Sequence, residues 1–288
     1  MAQAAARIAF LDKKAVYYKG GIMGSDMLKR WLQLVTVAAL TLAAATPALA
    51  AQCGNGAGGY PAWKEAFAAE AKAKGIGARG LAALMGTNYA TATIQADRGM
   101  KSFKLSLAAF MQKRGSAAIV ARGRALKAAN AALFADIQKR YGVPAGPLIA
   151  IWGMESAFGG SVGNQNVLSA VATLAYDCRR SAFFTDQLQS ALQLVDRGSL
   201  SPAARGAMQG EIGQTQFLPK NVLLYGAGDL NSKAGALMST ANFLKAHGWA
   251  AGQGYQPGQA NFAAIAAWND ASVYQQSIAI MGAQIDGN

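Results

Sequence analysis

From Pro61 onward the chain is written in helix-length segments opened by Pro or Ser and closed by Gly, and alternating strand patterns are nearly absent. PAWKEAFAAEAKAKG places Pro61 in a first turn and Gly75 at the stop, the asymmetry expected of a helix. SAAIVARGRALKAANAALFADIQKRYG reads as one helix over 116–142, capped by Ser116 and ended by Gly142, with Ile119, Leu126, Leu133 and Ile137 near helical spacing. SAFFTDQLQSALQLVDRG repeats the design, with Ser181 as cap, Phe184, Leu188, Ala191, Leu192 and Val195 on one stripe, and Gly198 at the end. Another helix opens near Pro144 and Pro147, and three more are predicted over 219–225, 233–247 and 271–285. Irregular Gly- and Gln-rich connections fill 205–218 and 250–260, and no internal repeat is visible. The expected fold class is predominantly α.

The first fifty residues do not fit this pattern. MLKRWLQLVTVAALTLAAATPALA begins at Met27, carries Lys29 and Arg30, continues with an apolar core and ends in Ala48-Leu49-Ala50, the layout of a secretory signal peptide cleaved after Ala50. Its core, Trp31 to Ala45, is shorter than the roughly 20 residues of a spanning helix. The expected organisation is an upstream extension over 1–26, a signal peptide over 27–50 and a single folded domain over 51–288, with Met27 as the true start. Of 27 Lys/Arg and 14 Asp/Glu, six and two fall in residues 1–50, which leaves 21 against 12 and a basic mature chain. That surplus favours an anionic partner; export excludes nucleic acid and leaves an acidic wall or membrane surface. No stable membrane anchor is expected. The basic pairs Lys113-Arg114, Lys139-Arg140 and Arg179-Arg180 read on composition alone as solvated helix ends. The only cysteines, Cys53 and Cys178, make an even count in an exported chain, which predicts a disulfide that pins the N-terminal arm. CGNGAGG contains G-x-G-x-x-G from Gly54 to Gly59, but it follows a cut end rather than a strand and reads as a flexible lead-in.

Elimination narrows the chemistry. A single histidine, His247, excludes most His-based metal sites and sits at a predicted helix end, where it caps or packs. No acidic cluster suits a bound cation, and carboxylate chemistry remains. Residues 51–288 hold four glutamates, of which Glu65 and Glu70 belong to a charged amphipathic helix. Glu155 is different: IWGMESAFGG sets it alone among uncharged residues, and Leu148, Ile151, Trp152 and Glu155 follow i, i+3, i+4, i+7, so the acid continues an apolar stripe and faces inward. Burial raises a carboxyl pKa, which keeps a glutamic acid protonated near neutral pH and fits it to general-acid work; a buried Glu paired with Arg is the structural alternative. Gly153, Gly159 and Gly160 let backbone or ligand approach the acid, and QGEIGQTQFLP offers Gln214 and Gln216 as neutral hydrogen-bonding groups suited to a sugar.

Four ordered blocks, GMESAFG, GEIGQTQFLP, STANFLKAHGW and AAWNDASVY, together with ATLAYDCRRSAFF between the first two, resemble the lytic murein transglycosylases of the B type, within the lysozyme-like superfamily. The resemblance covers most of residues 51–288. It implies a lysozyme-like catalytic domain with extra N-terminal helices, located in the periplasm and acting on peptidoglycan glycan strands. The bond cut is the β-1,4 link between N-acetylmuramic acid and N-acetylglucosamine, with 1,6-anhydromuramic ends formed. It implies Glu155 as the sole catalytic acid and base and Gln216 in the sugar groove, with Phe243, Asn269 and Tyr274 on the substrate side. Arg179 and Arg180 would meet peptide or lactyl carboxylates. No cofactor follows, and LLYGAGDLNSKAG lacks the acidic calcium loop of some relatives. Phe243 and Phe110 stand where relatives can have tyrosine. Proteins of wall synthesis or wall degradation are the protein partners this reading suggests. Two alternatives stay open: a hydrolysing muramidase that uses Glu155 with Glu211, and a non-catalytic wall-binding protein on the same fold.

Overall fold

In the computed structural model, the described residues are 51–99 and 104–287. The expected signal peptide and upstream extension lie outside them. Thirteen α-helices are described: α1 Tyr60–Ala73, α2 Ala78–Met85, α3 Thr91–Gly99, α4 Leu107–Lys113, α5 Ser116–Ala129, α6 Ala131–Tyr141, α7 Ala145–Ser156, α8 Val167–Tyr176, α9 Ser181–Asp196, α10 Pro219–Tyr225, α11 Lys233–Ala246, α12 Phe262–Trp268 and α13 Ser272–Asp286. The one sheet is a two-residue antiparallel ribbon, β1 Gln165–Asn166 with β2 Arg205–Gly206, in which Gln165 faces Gly206 and Asn166 faces Arg205.

Helix α7 forms the centre. Eleven of its twelve residues are buried, so it is a helix enclosed on every side rather than one with a single apolar stripe, and Glu155 is its sole exception. It packs against α13, α5 and α11. Helix α8 is buried along its whole length and packs on α9. The ten residues of α8, VLSAVATLAY, include no charged side chain to mark a solvent face, and the sequence reading passes over it. Helices α2, α3, α4 and α12 escape periodicity because seven to nine residues supply too few turns.

The single helix expected over 116–142 is two. Asn130 leaves the helical region at φ −126°, and its side-chain Nδ2 donates to the Leu126 carbonyl at 2.8 Å. The Leu126 carbonyl thus accepts from both the backbone N–H and the side-chain amide of Asn130, which ends α5. Gly142 does terminate α6, in left-handed conformation. Neither Ser116 nor Ser181 acts as a cap. Each is the first helical residue, and Ser181 Oγ instead donates to the Ala175 carbonyl at 2.6 Å.

Cys53 and Cys178 are joined, as the sequence predicts, across 125 residues. The glycine-rich lead-in is anchored rather than loose. Gly54 N donates to the Tyr176 carbonyl at 2.9 Å, and Tyr176 Oη donates to the Gly56 carbonyl at 3.0 Å. A Cβ at Gly54 would sit 2.1 Å from the Tyr176 hydroxyl, so glycine is what permits the approach. Tyr60, Trp63, Phe67, Tyr89 and Tyr176 then form one aromatic cluster that fastens α1 to the body.

Candidate active site

Glu155 occupies the last turn of α7, where the helix emerges from the core. The residue keeps partial exposure, yet burial is the strongest influence on its carboxyl and raises the pKa. Tyr274 Oη donates to Glu155 Oε1 at 2.5 Å and Trp268 Nε1 donates to the same oxygen at 3.1 Å. Both bonds oppose the rise without cancelling it, as does the charge of Arg114, while Glu211 adds to it. Because both donors fall on Oε1, Oε2 is the oxygen available to carry a proton to a ligand. The arrangement describes an acid with a raised pKa held in one rotamer.

The backbone around it is strained in a localised way. Ala157, Phe158 and Gln216 are the non-glycine residues with left-handed backbone among the described residues, and they follow Glu155 directly or lie in the loop opposite. Each costs on the order of 1–3 kcal/mol, a concentration expected where function dictates the conformation. That loop, 209–218, is clamped to α7. Ser156 Oγ donates to the Gln214 carbonyl at 2.5 Å, and Trp152 Nε1 donates to Gln214 Oε1 at 2.9 Å. A Cβ at Gly159 would lie 2.6 Å from Gln214 Oε1, so a side chain there would push the loop off the helix.

Two cavities meet at Glu155. One, about 190 Å³, is lined by Glu155, Glu211, Gln216, Asn221, Trp268 and Asn269, among others. The other, about 270 Å³, has Lys113 and Arg114 on one wall and Met154 to Ala157 on the other. An elongated ligand crossing the acid meets amides and a carboxylate on one side and cations on the other. Among the described residues no group of three or more His, Cys, Asp or Glu could hold a metal ion.

Residues 59–258, over two thirds of the chain, match the transglycosylase SLT domain family. The chain belongs to that family. It is 33% identical over 121 residues to the membrane-bound lytic murein transglycosylase B of Escherichia coli; the match covers 39% of this chain and 34% of the relative, about a third of its length. The fold resembles SltB3 of Pseudomonas aeruginosa, solved in complex with NAG-anhNAM-pentapeptide, with a TM-score of 0.72, 28% identity and 80% of each chain covered. It also resembles the E. coli lytic transglycosylase Slt35, solved in complex with bulgecin A, with a TM-score of 0.68 and 20% identity over 82% of this chain and 96% of that one.

Within this transglycosylase SLT domain, the expected site residues divide. Gln216 and Asn269 line the smaller cavity with Glu155. Gln216 Nε2 is tied to the Gly213 carbonyl at 2.8 Å, which leaves its Oε1 to accept from a ligand. Tyr274 is 3% exposed and reaches the ligand only through the acid it holds. Phe243 is not on the substrate side: at 3% exposure it lies behind the groove, stacked on His247 and edge-on to Phe217, Tyr225 and Trp268. His247 packs there and its Nδ1 lies 2.8 Å from the Phe243 carbonyl. Gln214 is spent on Trp152 and on the Asn231 carbonyl, so it holds the loop rather than a sugar.

Arg179 and Arg180 do not stand free for a ligand carboxylate. Both pair with the buried Asp97, and Arg180 also donates to Gln209 Oε1 at 2.9 Å. Gln209 N in turn donates to Glu211 Oε2 at 2.9 Å, so this network positions Glu211. Burial is the main cause that raises the Glu211 pKa. Sequence reasoning missed Trp268, although it adjoins Asn269 in AAWNDASVY. It also set Lys113-Arg114 aside as a solvated helix end, whereas Arg114 donates to the Met154 carbonyl beside Glu155.

Replacing Tyr274 by Phe tests the positioning role. The change deletes the strongest bond that favours the ionised carboxylate, so the Glu155 pKa is expected to rise further. If the protonated acid is the active form, the alkaline limb of the pH–rate profile moves to higher pH, and kcat falls as the rotamer loosens. A limb that stays in place or moves to lower pH would refute the role.

Proposed function

We propose that this protein is an exported peptidoglycan lytic transglycosylase that cuts the β-1,4 bond between N-acetylmuramic acid and N-acetylglucosamine with formation of 1,6-anhydromuramic ends. The observation that carries the reading is Glu155 itself: the one residue of α7 that is not buried, its pKa raised by desolvation, fixed through Oε1 by Tyr274 and Trp268, and set where two cavities join.

Glu155 donates its proton to the glycosidic oxygen as the C1–O bond breaks, and the N-acetylglucosamine chain leaves as an alcohol. The substrate's 2-acetamido group shares the positive charge that develops at C1. The Glu155 carboxylate then takes the proton of the muramic C6 hydroxyl, whose oxygen bonds to C1 and closes the anhydro ring. No water is consumed, and the acid ends in its starting state. A single carboxylate suffices because substrate assistance replaces the second acid of standard glycosidases. Gln216 and Asn269 bind the sugar beside the bond, and Lys113 and Arg114 face the anionic groups on its other side.

Mass spectrometry of products from purified murein tests this. Fragments one water lighter than their hydrolysis counterparts are expected. Fragments with reducing muramic ends would replace this mechanism with hydrolysis aided by Glu211, which lines the same cavity. A periplasmic location after cleavage at Ala50 belongs to the same proposal, and so does association with wall-remodelling proteins. Among the described residues no helix is long and apolar enough to cross a membrane.

A further inference from the structure

A further cavity, of about 650 Å³, lies away from Glu155, beside the β1–β2 ribbon. Its floor is apolar, made by Ala83 of α2, Leu168 of α8 and Val195 of α9. Asn88 supplies an amide at its side, while the Asn166 amide is held by the Pro202 carbonyl and Ser169 N; Arg79 and Arg205, from segments far apart in sequence, bring two guanidinium groups to it. Neither arginine belongs to an ion pair among the described residues. Arg79 Nη1 meets only the backbone carbonyl of Asp196 at 3.4 Å, and Arg205 Nη1 only that of Asn164 at 3.3 Å. The nearby Asp196 carboxylate is spent on Gly77 N and Gly80 N at 2.6 and 2.7 Å, at the start of α2.

We infer that this cavity binds a peptide bearing free carboxylates, the stem-peptide class carried by wall glycan. Both guanidiniums are exposed and make no direct ion pair among the described residues, and a ligand carboxylate in the hollow fills their donor forks. A small inorganic anion would leave the apolar floor wet, and a neutral glycan would leave the guanidiniums unmatched. A short acidic peptide satisfies both, with small side chains on Ala83, Leu168 and Val195 and its amides against Asn88. The site also borders the catalytic groove. Arg205 and Asn166 face each other in the ribbon, and the next residue, Gly206, packs so closely on the Glu211 loop that a Cβ would lie 2.1 Å from the Glu211 carbonyl oxygen. The identity of the peptide rests on the proposed function; the anionic site itself does not.

Two measurements on the full mature protein separate them. The first follows Ala83 and Leu168 methyl resonances during titration with the tripeptide Ala-Glu-Ala and with its neutral counterpart Ala-Gln-Ala-amide. Saturable shifts with the acidic peptide alone, weakened about tenfold in Arg79→Gln/Arg205→Gln, are expected from losing two charge-assisted contacts. Equal binding of both peptides, or no binding, overturns the site. The second compares wild type and the double variant on murein and on the same glycan stripped of its peptides by an amidase. A KM about tenfold higher on peptide-bearing murein alone supports the site, and an equal change on both substrates, or none on either, overturns its part in substrate binding. A wild-type protein that cuts neither substrate yet binds the acidic tripeptide would sink the proposed function and keep the site.

Discussion

A Glu155→Gln protein is expected to fold, to melt at or above the wild-type temperature near pH 7, and to clear murein at least roughly 10²- to 10⁴-fold more slowly, the range for losing a general acid. The amide keeps the size of the side chain and still accepts from Tyr274 and Trp268, but it neither gives nor takes a proton. The stability half of the expectation follows from the raised pKa. The folded protein holds the Glu155 proton after the unfolded chain has released it. The contribution of this residue is therefore fully present below the ordinary glutamate value and lost as pH rises through the raised one. Glutamine removes that loss. Were Glu155 an ion-pair member, the same change would strand a buried partner and cost roughly 3–5 kcal/mol; Arg114, the nearest cation, is instead exposed and bonded to a carbonyl. Thermal melts beside murein-clearing rates decide. A variant that melts normally and still releases 1,6-anhydromuropeptides at near wild-type rate would falsify the assignment.

Removing the disulfide is expected to produce the largest loss of stability. With Cys53→Ser/Cys178→Ser, the unfolded chain regains the freedom of a loop closed across 125 residues, worth up to about 4–5 kcal/mol in the chain-entropy account. That is a large part of a typical domain's roughly 5–15 kcal/mol. The hydrogen bonds of Gly54 and Gly56 with Tyr176 remain and keep the arm near its place, so the fold should persist at 25 °C with a melting temperature lower by on the order of 10 °C. Calorimetry of the double-serine variant measures it. A shift of only a degree or two would mean that the aromatic cluster around Tyr60 and Trp63 already restrains the arm in the unfolded chain.

Glu155 was legible because its neighbours in sequence are also its neighbours in space: the one acid in an otherwise apolar helix stands where that helix leaves the core. The glycines that follow it marked the tight exit from α7. The aromatic and amide groups that hold and surround the acid were only partly legible. Tyr274 and Asn269 were noted as belonging to the site, yet their roles differ, one behind the acid and one beside the ligand. Phe243, from the preceding block STANFLKAHGW, is buried behind the groove.

What the sequence determined by itself was local: the helical character, the stop at Gly142, the pairing of Cys53 with Cys178 and the isolation of Glu155. Each depends on residues within a few turns, or on a count of two cysteines that admits one pairing. What only the tertiary structure decided was long-range. The packing of α13 and α12 brings Tyr274 and Trp268 onto an acid more than a hundred residues away. The fold also commits Arg179 and Arg180 to Asp97, leaves Arg79 and Arg205 without an ion pair among the described residues, and sets Glu211 on the wall of the cavity that Glu155 shares. Charge and hydrogen-bond partners at such distances are chosen by how helices pack, and side-chain periodicity records which face of a helix is buried, not what it is buried against.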